Sequence, residues 1–288
     1  MQPSIAWGGW STWHAHPDVW VLMLSLLGGY FLALRVVRAP LDASESERAT
    51  RRRKLFFVGG IAVLWIGADW PVHELSENYL FSVHMVQHTL FSLVAPPLLL
   101  LGLPPWLLRQ LIRSPRVLKF ARFVTRPVFA LLAFNAVIAI THWPTLVDLS
   151  LRSEPVHLLI HTVLVTTALL MWFPVISPLP ELARLSEPAK MLYLFLQSIL
   201  PTVPASFLTF ANAPIYHFYE TVPRLWGISV VTDQMVAGLI MKILGGLLLW
   251  TAIAILFFRW HMAEQRAELE TVSWPDFERE LDAWELRR

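Results

Sequence analysis

The sequence predicts an all-α fold: a polytopic membrane helix bundle with seven transmembrane helices, the N-terminus outside and the C-terminus cytoplasmic. Three observations carry this reading. Hydrophobic residues make up 56% of the 288 and charged residues only 15%, whereas soluble domains hold about 45–50% and about 25%. Seven stretches are apolar enough, and long enough at about 1.5 Å per residue, to cross about 30 Å of hydrocarbon. Lys and Arg then fall almost wholly on one side of the resulting topology.

The expected spans are residues 19–37, 55–70, 81–101, 127–143, 156–173, 190–210 and 234–258. Residues 1–18 read as an outer segment, 19–258 as the transmembrane domain and 259–288 as a solvated, partly helical cytoplasmic tail. The first residues lack a basic stretch followed by a short apolar core and a small-residue cleavage site. They therefore read as no cleavable signal, with the first apolar helix serving as its own insertion signal. The second span is the shortest. Pro71, Pro144 and Pro174 are expected to close the second, fourth and fifth spans, because proline lacks an N–H and drives its predecessor out of the α region. Pro96 and Pro97 should kink the third span, and the carbonyls they release then need partners from the protein. Pro201 and Pro204 interrupt the sixth.

The orientation follows from the basic residues. Arg35, Arg38, Arg48, Arg51, Arg52, Arg53 and Lys54 fill the first inner loop, and Arg109, Arg113, Arg116, Lys119, Arg122 and Arg126 the second. Arg184, Lys190 and the tail residues Arg259, Arg266, Arg279, Arg287 and Arg288 join them, leaving only Arg152 and Arg224 outside. The first two inner loops also suit anionic headgroups, so membrane lipid is an expected partner. No nucleic acid is expected. The chain has no cysteine, which excludes disulfides, thiolate metal sites and a thiol nucleophile.

Nine of the ten histidines map to the outer side: His14, His16, His73, His84, His88, His142, His157, His161 and His217, with only His261 inside. His84/His88 and His157/His161 have i, i+4 spacing, which puts both rings of a pair on one helix face. Ionisable groups within spans ordinarily face a bundle interior or a cavity. A lone histidine near a helix end is ordinarily a hydrogen-bonded interfacial residue, and that is the reading for His14, His16 and His217. Two pairs on one side point instead to a metal or haem site, with His73 and His142 as supporting candidates. Without cysteine, such a site must use imidazole, carboxylate or thioether, and imidazole suits Cu, Zn, Fe and Ni. Met85 and Met235 lie near the same level, as do Asp69, Glu74, Glu77 and Asp233. Lys242 falls about 12 Å into the last span, where it either pairs with a carboxylate such as Asp69 or snorkels.

The stretch HMVQHTLFSLVAPPLLLLGLP at 84–104 resembles the signature helix of the CtaG-type bacterial cytochrome c oxidase assembly proteins. That group is distinct from the single-span, cysteine-bearing chaperone sharing the CtaG name. THWP at 141–144, HLLIHTVLVTTALLMWFPVISP at 157–178, PIYHFYE at 214–220 and DQMVAGLIM at 233–241 extend the resemblance from about residue 55 to 258. It implies a multi-span plasma-membrane protein needed for maturation of a haem–copper oxidase, helping to deliver or insert copper on the outer face. The implied partners are haem–copper oxidase subunits and an extracytoplasmic copper chaperone. By motif, His84, Gln87, His88, His142, His157, His161, His217, Asp233 and Gln234 carry over. The chain departs from the pattern at Lys242 and Leu244, where an aromatic residue and a proline are expected.

The expected function is thus a membrane assembly factor for cytochrome c oxidase, binding copper ion through His84, His88, His157 and His161, supported by His73 and His142. Three alternatives stay open: a bis-His b-haem redox protein, a transporter of a metal or small solute, and a scaffold whose histidines only satisfy local hydrogen bonds. A hydrolase is not expected, since no HExxH or similar spacing is present.

Overall fold

The computed structural model describes residues 4–5, 8, 13–37, 39–40, 50–179, 181–182, 185–271 and 274–285. Half of the expected outer segment lies outside the described residues, as do Arg38, Arg48, Arg184, Arg287 and Arg288 of the basic loops and tail.

The helices are α1 Pro17–Val36, α2 Arg51–Ala68, α3 Val72–Asn78, α4 Phe81–Thr89, α5 Ala95–Gly102, α6 Pro105–Leu111, α7 Pro115–Val124 and α8 Pro127–Thr141. They continue as α9 Pro144–Arg152, α10 Glu154–Ile176, α11 Glu187–Ile199, α12 Thr202–Phe210, α13 Phe218–Thr221, α14 Val230–Leu239, α15 Gly245–Thr271 and α16 Trp274–Glu285. A π turn, Leu90–Val94, joins α4 to α5, and another, Ile240–Leu244, joins α14 to α15. The described strands are two short ones, β1 Ser4–Ile5 and β2 Arg224–Leu225, paired in parallel.

Six helical runs are long and apolar enough to cross a membrane: Pro17–Val36, Arg51–Asn78, Phe81–Gly102, Glu154–Ile176, Glu187–Phe210 and Val230–Ala267. The remaining expected span is α8, whose 15 residues reach only about 22 Å. It follows α7 at a bend of 67°, and the pair makes a seventh span if counted as one. The chain is therefore an all-α, multi-pass bundle. α8, not the second span, is the shortest of these helices.

Prolines act differently at different places. Pro105, Pro115, Pro127, Pro144 and Pro155 stand in the first turns of their helices, where a missing N–H costs nothing. Pro144 thus starts α9 as well as closing α8. Pro174 does not close the fifth span. It sits inside α10, which runs on to Ile176 and stops at Ser177 in the left-handed conformation (φ 46°). With only two residues left after it, the proline removes one late bond rather than a ladder.

Pro96 and Pro97 are absorbed by the π turn before them. The α-helical and π-helical donors to the Ser92 carbonyl would be the N–H groups of residues 96 and 97, and both are proline. The orphaned carbonyl is taken by the Trp172 indole N–H of α10 at 3.0 Å.

The main core lies among α2, α5, α10 and α11 and includes Ile61, Leu64, Phe91, Leu99, Leu164, Met171 and Leu194. α2 and α5 approach closely because glycine lines the seam. A Cβ on Gly102 would stand 2.6 Å from the Phe57 backbone nitrogen, a close approach typical of small residues between membrane helices. A second, smaller cluster sits toward the other end around Phe81, Met85, Val147, Leu208, Tyr216 and Tyr219. Its cover is the segment between α12 and α14. Tyr216 donates to the His142 carbonyl at 3.0 Å, and Tyr219 to the Ser76 carbonyl at 2.7 Å. The side chain of Arg224 reaches the Tyr79 carbonyl at 3.1 Å.

Candidate metal centre

The helix bearing His84 and His88 has its start fixed from a distant part of the chain. Its N-cap position is Leu80, which offers no side-chain oxygen. The carboxylate of Asp233, from α14, accepts instead from the Phe81 N–H at 2.7 Å and the Ser82 N–H at 3.0 Å. The first N–H groups of a helix lack partners, and its positive end favours an anion. Gln87, between the two histidines, points the other way. Its amide donates to the Gly67 carbonyl at 2.8 Å and its oxygen faces Ser76 Oγ at 3.4 Å, so it ties α4 to α2 and α3. Gln234 accepts from the Ile215 N–H at 2.7 Å, holding the covering segment.

With α4 placed, His84 and His88 share one inward face, their ring centroids 4.4 Å apart. α10 brings His157 and His161 alongside, 4.1 Å apart. Across the helices His88 and His161 stand 5.3 Å apart, and His84 and His161 6.0 Å. Each of His84, His88 and His161 offers one ring nitrogen within 4.8 Å of the other two. His84 Nδ1, both nitrogens of His88 and His161 Nε2 are buried and without a hydrogen bond among the described residues. A buried polar atom left unpaired costs about 1–3 kcal/mol. One nitrogen from each of the three rings makes a donor set that fits a metal ion, which would use its lone pair.

His142 stands against this trio without joining it. It closes α8, and its Nδ1 donates to the Ile138 carbonyl at 2.7 Å. That bond sets the neutral tautomer with the lone pair on Nε2. Nε2 is buried and unbonded among the described residues, and the ring lies 5.7 Å from His88.

The other cluster is His73, Glu77 and His157. His73 and Glu77 lie one turn apart on α3, a helix too short and polar to stand out in the sequence. Glu77 Oε1 is 2.9 Å from His73 Nδ1 and 2.8 Å from His157 Nε2. These are ion-pair distances. The i, i+4 spacing of His73 and Glu77 was visible in the sequence. The sequence marks Glu77 only as a carboxylate at the right level, and its place beside His157 depends on how α3 packs on α4 and α2.

The histidines continue toward the bundle's edge. His16 stacks edge-on to His73 at 5.1 Å, and its Nδ1 lies 2.9 Å from Asp69. Asp69 also accepts from the Trp20 and Trp65 indoles at 2.7 and 2.9 Å. It is therefore not the partner of Lys242, for which no carboxylate partner is found among the described residues. Lys242 borders an apolar groove of about 950 Å³ formed by Phe195, Ile199, Phe207, Phe210 and Trp250 among others. A cavity of about 60 Å³ touching Met85, His88, His142 and Met241 shares Ser198, Thr202 and Gly246 with that groove.

The remaining motif histidine is elsewhere. The His217 side chain is 74% exposed and pairs with Glu220 at 2.7 Å, and this carboxylate raises its pKa above the ordinary imidazole value. His14 is exposed, as is His261 on α15. Met235 is also exposed, while Met85 is buried beside the trio.

A family model described as cytochrome c oxidase caa3 assembly factor matches residues 28–263. No curated protein and no solved structure matches the chain.

Proposed function

The chain belongs to the cytochrome c oxidase caa3 assembly factor family, and from that premise we propose that it carries copper as cargo for the oxidase it helps assemble. The ion binds at His84, His88 and His161, on the side that the positive-inside bias assigns to the exterior of a bacterial plasma membrane. A haem–copper oxidase subunit receives it, and an extracytoplasmic copper chaperone supplies it. The chain's own part is binding and release, not catalysis.

One observation supports this most: three imidazoles from two helices, each with an unpaired buried nitrogen, offer one ring nitrogen apiece within 4.8 Å of the others. Neutral imidazole is a good ligand for copper. Three nitrogens leave a coordination position open, so an incoming ligand from a client can enter before the ion leaves. His142, with its tautomer already fixed, stands near enough to support the site. Asp233 and Gln87 hold α4 in place rather than touching the ion. A b-haem fits less well: ligand sites have volumes of about 300–1,000 Å³, while the cavity against His88 is about 60 Å³. The rings also pack directly on one another.

The test is copper titration of the detergent-purified protein beside its His84→Ala and His88→Ala variants, with oxidase copper content measured in cells carrying each. Binding by the wild type, with the equivalent at His84, His88 and His161 lost in both variants together with a copper-poor oxidase, supports the reading. A wild type that takes up no copper overturns it.

A further inference from the structure

We propose that His73, Glu77 and His157 form a second copper station, outside the first, which receives the ion and hands it inward. This rests on the copper reading of the inner trio, and it assigns Glu77 as a ligand.

Three donors of this cluster lie mutually within 4.8 Å, like the inner set. Glu77 Oε1 lies between His73 Nδ1 at 2.9 Å and His157 Nε2 at 2.8 Å, so one carboxylate oxygen and two ring nitrogens converge. The His157 side chain is 10% exposed, so its nitrogen is withheld from water. One oxygen and two nitrogens make a harder donor set than the all-imidazole trio, and carboxylate is the ligand that distinguishes the two.

The two stations adjoin through α10. His157 belongs to the outer set and His161 to the inner, with 4.1 Å between ring centroids. His84 is 6.0 Å from both rings. Passage is ligand exchange: each outer donor released is replaced by an inner nitrogen, and the copper keeps its oxidation state. His16, 5.1 Å from His73, extends the approach toward the bundle's edge.

The test uses the full chain in detergent, titrated with copper(II), with bound metal counted after dialysis. Nitrogen couplings are read by electron paramagnetic resonance. The wild type is expected to bind two equivalents. Glu77→Gln and His73→Ala are each expected to lose one and to keep the equivalent that His88→Ala removes, with a spectrum dominated by imidazole nitrogen. Circular dichroism establishes that each variant is folded, and His73→Ala gives the reading if Glu77→Gln is not. Two equivalents retained in both outer variants overturn the station. So does a single wild-type equivalent lost in His88→Ala and kept in Glu77→Gln, which leaves the inner centre standing. Loss of all copper in either outer variant means one joint site, and overturns the relay. No copper in the wild type overturns both proposals.

Discussion

The imidazoles of His88 and His161 meet edge to face, 5.3 Å between centroids and 78° between planes, and His88 carries two buried nitrogens that bond to nothing else among the described residues. Such an arrangement weakens the metal-free fold. His88→Leu, similar in volume and free of polar atoms, is expected to raise the stability of the metal-free protein by about 1–2 kcal/mol, since an unsatisfied group is removed. The same change should remove the inner site's share of the stabilisation by copper, about 2.7 kcal/mol at a hundredfold excess over that site's Kd. Thermal unfolding in detergent with and without copper measures both. A destabilised variant that responds to copper as fully as the wild type would count against the site.

The Trp172 indole and the Ser92 carbonyl form the bond that makes Pro96 and Pro97 tolerable in a membrane helix. Trp172→Phe keeps an aromatic ring but removes the pyrrole part and its donor. The carbonyl then has no donor in an apolar interior, and the expected cost is about 1–3 kcal/mol. Unfolding midpoints for Trp172→Phe beside Phe173→Leu separate the lost hydrogen bond from ordinary repacking, because only the former should move well beyond a small volume change.

The sequence made the bundle legible through span length and charge bias, both of which act locally along the chain. The need of the Pro96 carbonyls for a protein partner was legible too, although Trp172 as that partner was not. The i, i+4 pairs correctly placed two histidines on one face of each helix. They could not say that His157 and His161 would join different clusters, because that depends on α3, whose seven residues carry no strong period. His217 looked equivalent to the others as a motif letter. In the structure it is the neighbours Tyr216 and Tyr219 that turn inward to hold the cover, and this leaves His217 facing out.

His217 therefore serves as an internal control. His217→Ala is expected to leave copper binding unchanged, as equilibrium dialysis would show. Its pKa is raised by the Glu220 carboxylate first through the hydrogen bond and then through charge. A raised folded-state value means the pairing contributes fully below the unfolded imidazole pKa and is lost as pH rises through the folded one. The ring is wholly at the surface, so the effect should appear as an upward-shifted titration in nitrogen-15 spectra rather than in the unfolding midpoint. Loss of copper in this variant would relocate the site.

Asp233 is the residue through which the last span controls the first histidine helix. Its carboxylate takes the Phe81 and Ser82 N–H groups, a capping role that Leu80 cannot fill. Removing a capping side chain ordinarily costs about 0.5–2 kcal/mol, and the buried setting places Asp233→Ala at the upper end. Asp233→Asn retains an acceptor but not the charge, so it should recover part of the loss. The first turn of α4 leads directly into His84. Fraying there widens the His84 to His161 separation, and copper affinity should fall in step with stability across Ala and Asn, while His142→Ala lowers affinity without a matching loss of fold. Chelator competition beside unfolding midpoints tests the correlation. An Asp233→Ala variant with wild-type stability and weakened copper would instead make the carboxylate a participant at the metal, a role for which its bonds to the two backbone amides leave little freedom.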